Sequence, residues 1–264
     1  MKKQKIYITG ATGFVGKNLM LRLIASNYDV TALVRDDSKL IGIKHLNFDI
    51  NDSATWTFEP EPNVTLIHCA WENVRDLESI SHIKNYQKHY SFIESMVNKG
   101  VVNIMIMGSV SEYGLQYGPI SAHDETRPNT PYAFAKDCLH KSLRYLQKEK
   151  EFNLIWARLF YLFGNGQNAK SIIPLLDKAI DNNEEFFNMS FGEQLLDYLP
   201  IEEATEKIID LMAKGNGVFN VCSGKPISIR RLVEQRMIEK GKHINLNLGF
   251  HKYRDQDAFA IWGA

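Results

Sequence analysis

Tyr132 and Lys136 stand four positions apart in Tyr132-Ala133-Phe134-Ala135-Lys136, so on a helix the phenol and the ammonium project side by side. The pairing has a chemical use. A phenol with a pKa near 10 is a poor acid or base at neutral pH, but an adjacent ammonium favours the phenolate and makes proton transfer feasible. A second chemistry-bearing run is Gly10-Ala11-Thr12-Gly13-Phe14-Val15-Gly16, with glycines at its first, fourth and seventh places. Glycines permit a tight turn and let a pyrophosphate approach the free N–H groups of a helix start. Gly10, Thr12, Gly13, Phe14, Val15 and Gly16 are therefore candidate cofactor contacts. The eight histidines show no HExxH or comparable spacing, so no metal site is expected.

Both runs need a frame, which the hydrophobic pattern supplies. Residues 5–9 read as a strand ending at Gly10, and Val15, Leu19, Met20, Leu23 and Ile24 follow at helical spacing. Further strands are expected at 30–34, 45–48, 64–69, 102–107 and 154–163. Helices are expected at about 77–98, 132–148, 171–182, 202–214 and 228–240, with 186–191 irregular. Alternating strands and helices predict an α/β fold whose parallel sheet is covered on both faces. Tyr132 then opens the helix that follows the fifth strand and its loop. Without repeats or a linker-like boundary, any second region must be interleaved. The expected division is a dinucleotide-binding part over 1–163 with 194–222, and a smaller substrate-binding part over 164–193 with 223–264.

Composition excludes several classes. Among 264 residues, 31 Lys and Arg offset 31 Asp and Glu, so no net field draws the chain to nucleic acid or anionic lipid. Neither nucleic acid nor membrane is expected as a partner. The most apolar stretch, 154–163, is interrupted by Arg158 and falls far short of the roughly 20 residues that span a bilayer. Cys69, Cys138 and Cys222 are odd in number and scattered, which fits core thiols in a reducing cytoplasm. The chain enters a strand pattern within its first five residues, and no signal peptide is expected.

Thr9-Gly10-Ala11-Thr12-Gly13-Phe14-Val15-Gly16 resembles the extended branch of the short-chain dehydrogenase/reductase superfamily, the NAD-dependent nucleotide-sugar epimerases, dehydratases and reductases. The resemblance implies a Rossmann-type doubly wound sheet with a small interleaved C-terminal cap, and a homodimer. It implies that Tyr132 and Lys136 are the catalytic pair and, aligning Tyr113-Gly114, that Ser109 is the catalytic hydroxyl; Ser111 is the rival. Lys136 would hold the nicotinamide ribose, Tyr132 would move the proton and Ser109 would orient the sugar oxygen. Asp49 and Ile50 match a strand-end pair that holds adenine, Cys69 and Ala70 a backbone segment passing the cofactor, and Asn85 the family's helical Asn. His68 reads instead as a satisfied core histidine. Residues 158–164, 217–221 and 223–229 resemble later family segments, and Arg254 resembles an arginine that binds the substrate diphosphate. Trp71, Ser111, Tyr161 and Arg254 are the expected substrate contacts.

Cofactor choice turns on the end of the second strand. The family's usual acidic position falls on Val34, and Arg35 follows. A guanidinium pairs with a 2′-phosphate that a carboxylate would repel, so NADP(H) is favoured over NAD(H), while Asp36 and Asp37 keep NAD open. Elsewhere the pattern departs from the resemblance. Tyr161 stands where the family usually has Asn, Leu196 where it has Arg, and the sequence stops at Trp262-Gly263-Ala264, so a reduced cap is expected. Val110 and Ser111 replace the Asp-Glu of the 4,6-dehydratases, which disfavours dehydration. What remains is a reductase acting on the 4-keto group of a dTDP-, CDP- or UDP-linked deoxysugar, a 4-epimerase with retained NAD, or a non-catalytic NADP-binding regulator. The intact Ser109, Tyr132 and Lys136 argue against the regulator.

Overall fold

The computed structural model describes residues 3–35 and 40–264, so Asp36 and Asp37 lie outside the described residues. The chain opens with β1 (Lys5–Thr9), α1 (Phe14–Ala25), β2 (Asp29–Val34), β3 (His45–Asn47), β4 (Thr65–His68), α2 (Ser81–Asn98) and β5 (Asn103–Ser109). It continues through β6 (Gly118–Ile120), α3 (Pro131–Glu149), β7 (Asn153–Leu159), β8 (Tyr161–Phe163), α4 (Ile172–Asp181), β9 (Phe186–Asn188), β10 (Leu195–Leu196) and β11 (Tyr198–Pro200). The last elements are α5 (Ile201–Leu211), β12 (Gly217–Val221), β13 (Ile227–Ser228), α6 (Ile229–Lys240), β14 (Asn245–Asn247) and β15 (Ala260–Gly263).

Seven strands form one parallel sheet in the order β12-β7-β5-β4-β1-β2-β3. Strand order reverses between β1 and β4, and in such Rossmann-type sheets the crevice beyond the carboxyl ends at that switch is where ligands bind. Alternating side chains feed opposite faces. Ile6, Ile8, Met105 and Met107 join Leu19 and Leu23 of α1 and Ile201 and Ile208 of α5. Tyr7, Ile104 and Ile106 join Phe92 and Met96 of α2 and Leu139 and Leu143 of α3. The sheet is thus buried on both sides, as near-continuous apolar strands require. Among the described residues no helix is long and apolar enough to cross a membrane.

Two local expectations differ from the structure. The apolar run 154–163 is not one strand: β7 ends at Leu159, Phe160 N–H bonds to Val221 O, and β8 leaves to pair with β11. Hydrophobicity marks burial but not a change of partner, so the run looks continuous in sequence. Residues 186–188 are not irregular but form β9, paired in parallel with β14, with Phe187 packed beside Leu176 and Met237.

A four-stranded sheet, β13-β10-β15-β6, takes one strand, β6, from the segment between β5 and α3. Asp197, fully buried, fastens it. Its carboxylate accepts Ser223 N–H at 2.6 Å, Ser223 Oγ–H at 2.7 Å, Gly224 N–H at 2.8 Å and Gly263 N–H at 3.1 Å.

Candidate active site

The glycine run lies between β1 and α1 as the spacing predicts. Gly10 has φ of +67°, and a Cβ there would stand 2.7 Å from Ala70 N and 2.8 Å from Cys69 C, so β4 passes directly against the turn. At Gly16 a Cβ would collide with the Gly10 carbonyl. No side chain caps the start of α1, and its first turn holds no acidic residue. A cradle closed to Cβ atoms, with free helix N–H groups and no opposing carboxylate, fits a dinucleotide pyrophosphate.

α3 begins where it does because Thr130 Oγ1 accepts Ala133 N–H at 3.2 Å and Pro131 occupies the first helical position. Tyr132 thereby sits in the first turn and Lys136 one turn further on. Burial pushes the Tyr132 phenol up, a side-chain hydrogen bond with Ser109 opposes it, and the Glu112 carboxylate reinforces it. Ser109 Oγ accepts Ser111 N–H at 3.1 Å, which leaves the Ser109 hydroxyl proton to donate toward the cleft. Ser109 therefore meets Tyr132, whereas the backbone of Ser111 serves to fix Ser109.

Lys136 is buried, its Nζ donating to Met107 O at 2.8 Å and lying 3.9 Å from the Trp71 ring centroid. Burial brings its pKa down to about 7, against the opposing pull of Glu112 and Cys69. The π-face of Trp71 favours the ammonium and offsets part of that desolvation.

Trp71 packs against both Tyr132 and Lys136. Its ring is T-shaped to Tyr132 at 6.1 Å and stacked on His89 at 4.3 Å, and its Nε1 donates to His82 Nδ1 at 3.1 Å. His89 Nδ1 lies 2.8 Å from His68 Nε2, and His68 Nδ1 lies 2.8 Å from Thr9 Oγ1. Thr9 Oγ1 in turn accepts Ala70 N–H at 3.1 Å. Burial holds His68 down to about 3 and His89 well below the ordinary imidazole value, so these two rings are neutral at physiological pH. Burial drives the Cys69 thiol up to about 12, which removes it as a nucleophile.

The other expected cofactor residues line the same end of the sheet. Arg35 is exposed just past β2. Ile50 is buried beside Phe48, and Asp49 Oδ1 accepts Asn51 N–H at 3.0 Å. Asn85 Nδ2 donates to Glu72 Oε2 at 3.1 Å, while Asn51 Nδ2 donates to Glu72 Oε1 at 2.6 Å. Sequence reasoning missed Glu72 because nothing local marks it.

Beyond Ser109 a narrow cleft is lined by Leu77, Val110, Ser111, Asn129, Tyr161 and Asp257, among others. Tyr161 and Tyr198 pack at 5.6 Å, both pushed up by burial and then by the Asp257 carboxylate. Arg254 is exposed on the segment that Asn129 Nδ2 ties down through Gln256 O at 3.2 Å. Leu196 is buried with Val110 and Ile261, so the position where the resemblance expects a phosphate-binding arginine is core. Sequence reasoning also missed Glu112, which is fully buried and accepts Ser109 N–H at 2.7 Å.

Known proteins resemble this chain over most of its length. The model of the NAD dependent epimerase/dehydratase family matches residues 6–222. The dTDP-6-deoxy-L-talose 4-dehydrogenase (NAD(+)) of Aggregatibacter actinomycetemcomitans is 32% identical, covering 98% of this chain and 99% of that relative. The UDP-glucose 4-epimerase of Vibrio cholerae is 25% identical, covering 90% and 76%. The structure of RMD from Pseudomonas aeruginosa complexed with NADPH superposes with a TM-score of 0.83 at 18% identity, over 99% of this chain and 90% of that one.

Proposed function

Because the chain belongs to the NAD dependent epimerase/dehydratase family, we propose that it reduces the 4-keto group of a dTDP-, CDP- or UDP-linked deoxysugar with NADPH. The observation that carries this reading is the wall of the cleft beside Ser109. Leu77, Val110, Ala258 and Ile261 present apolar surface next to the polar edge of Ser111 and Asn129. Such a wall suits the methyl of a 6-deoxy sugar. The relative named for 4-dehydrogenation of a dTDP-6-deoxysugar supports the same position on the ring.

In this mechanism the Ser109 hydroxyl donates to the keto oxygen as negative charge develops there. Tyr132 delivers the proton to that oxygen. Lys136 would donate from Nζ to the ribose of a bound nicotinamide, and its charge makes the phenolate left on Tyr132 tolerable. A bound reduced nicotinamide would supply the hydride. Gly10, Gly13 and Gly16 with the start of α1 would hold the pyrophosphate, and Asp49 and Ile50 the adenine. Arg35, exposed just past β2, favours NADP(H) over NAD(H).

We infer further that the protein works in the cytoplasm as a homodimer, a reading supported by Phe134 and Tyr145, 45% and 68% exposed on α3. The test is stoichiometric. With 4-keto-6-deoxy nucleotide sugars, absorbance of the reduced nicotinamide should fall by one equivalent per product. Interconversion of two saturated nucleotide sugars without net cofactor loss would replace the reductase by a 4-epimerase. Arg35→Ala should weaken NADP binding by about 1.5–3 kcal/mol and leave NAD binding unchanged. Equal NADP affinity before and after would remove Arg35 from the site.

A further inference from the structure

Beneath Ser109 lies an ion pair that the mechanism above does not use. Glu112 is 0% exposed and Arg158 is 3% exposed, with Arg158 Nε donating to Glu112 Oε2 at 2.7 Å. Glu112 Oε1 accepts Ser109 N–H at 2.7 Å and Trp156 Nε1–H at 3.1 Å. The other arm of the guanidinium, Nη1, donates to Tyr113 Oη at 2.9 Å, and Tyr113 Oη–H donates to Asn220 Oδ1 at 2.7 Å. Gly108 makes room for the arrangement, since a Cβ there would stand 2.7 Å from Glu112 Oε1 and collide with Trp156 Nε1. A residue with any side chain would push the carboxylate away from Ser109.

Fully buried ion pairs are poor stabilisers, because well-packed apolar residues of similar volume usually do as well or better. Stability therefore does not explain why two charges are desolvated at this spot. Their position does. The carboxylate grips the N–H of Ser109 while Ser109 Oγ receives Ser111 N–H, so both ends of that residue are fixed and its hydroxyl proton has one direction left.

We propose that Glu112, anchored by Arg158, is the positioning residue of the reacting set: its carboxylate fixes the backbone of Ser109 so that the hydroxyl faces Tyr132. The proposal rests on Ser109, Tyr132 and Lys136 being the reacting residues. The charged and titratable groups that act with Glu112 are Arg158 from β7, Tyr132 and Lys136 from α3, and Tyr113 from its own turn. Glu112 raises the proton affinity of both Tyr132 and Lys136.

Two variants test this. Glu112→Gln removes the charge alone, and the double variant Glu112→Leu with Arg158→Met removes the pair without stranding a buried ion, so it is expected to fold. The first readout needs neither substrate nor cofactor. In lysine-labelled protein, NMR titration of Lys136, assigned through Lys136→Met, should move down by about half a pH unit or more in Glu112→Gln. The second readout is turnover of the keto sugar, which should fall roughly tenfold or more in kcat with KM and cofactor affinity within about threefold, as expected when an interaction made in the transition state is lost. An unmoved Lys136 titration, or a double variant with wild-type kcat, overturns the proposal. If wild-type protein reduces no keto sugar while the Lys136 titration still moves, the functional reading fails and the electrostatic coupling of Glu112 to Lys136 stands.

Discussion

In Gly10→Ala a methyl group enters at a residue whose φ is +67°, with Ala70 N 2.7 Å and Cys69 C 2.8 Å from the new atom. Three separate effects follow. Left-handed backbone costs a non-glycine residue about 1–2 kcal/mol. Ordinary contact begins near 3.4 Å, so the end of β4 must retreat by several tenths of an ångström, and overpacking of that kind costs about 1–3 kcal/mol. The sum is about 2–5 kcal/mol, or roughly 4–20 °C in Tm for a chain of this size. The retreat also drags Ala70 N–H from Thr9 Oγ1, now 3.1 Å away, and misaligns the cradle. Losing one charge-assisted contact to the pyrophosphate weakens cofactor binding by roughly tenfold to a hundredfold. Gly100→Ala is the control, because Gly100 has φ of +90° but nothing within 4 Å of where the new methyl would stand, so only the backbone cost remains. Thermal unfolding and calorimetric titration with NADPH read both quantities. Equal Tm losses in the two variants, with unchanged NADPH affinity in Gly10→Ala, would refute the close approach of β4 to the glycine turn.

Tyr132→Phe should keep cofactor affinity within about threefold while turnover falls by roughly 10²–10⁴, and steady-state kinetics with a keto sugar checks it. Asp197→Ala removes the shared acceptor of four donors, of which the Gly263 N–H is buried, and should cost roughly 3–5 kcal/mol, with faster hydrogen exchange at Ser223, Gly224 and Gly263. Burial holds His68 down to about 3 and His140 down to about 4, so the unfolded chain takes up protons first and stability falls as pH drops from about 6.5 toward 4. Urea unfolding should lose up to roughly 1.4 kcal/mol per pH unit for each such histidine, and His140→Gln should flatten that slope.

The glycine cradle and the Tyr132–Lys136 pair were legible in the sequence because each is written within seven consecutive residues or fewer, where one turn or one helical repeat dictates geometry. Ser109 became legible through the neighbouring Tyr113-Gly114. Glu112 did not, since its partners Trp156 and Arg158 come from β7, 44 and 46 positions away. One signal was present: Arg158 interrupts an apolar strand, and a charge inside a buried strand requires a buried partner. Trp71 was expected to touch substrate, and its contacts with Lys136, His82 and His89 depend on α2 and α3 packing together, which periodicity alone does not specify. The break at Phe160 escaped for a similar reason, because β7 and β8 are equally apolar and differ only in their pairing partners.

The pairing of β6 with β15 also bears on how the molecule is assembled. Gly118 aligns with Ile261, and the register continues to Ile120 and Gly263, so a short strand after the turn that follows β5 waits for one from the far end of the chain. Closing so long a loop is entropically costly and yields few contacts until β10 and β13 join. The parallel sheet, all of whose connections are shorter than that one, can gather first. Refolding should then be biphasic, with nucleotide affinity recovered in the early phase and sugar recognition only when the second, slower pairing locks.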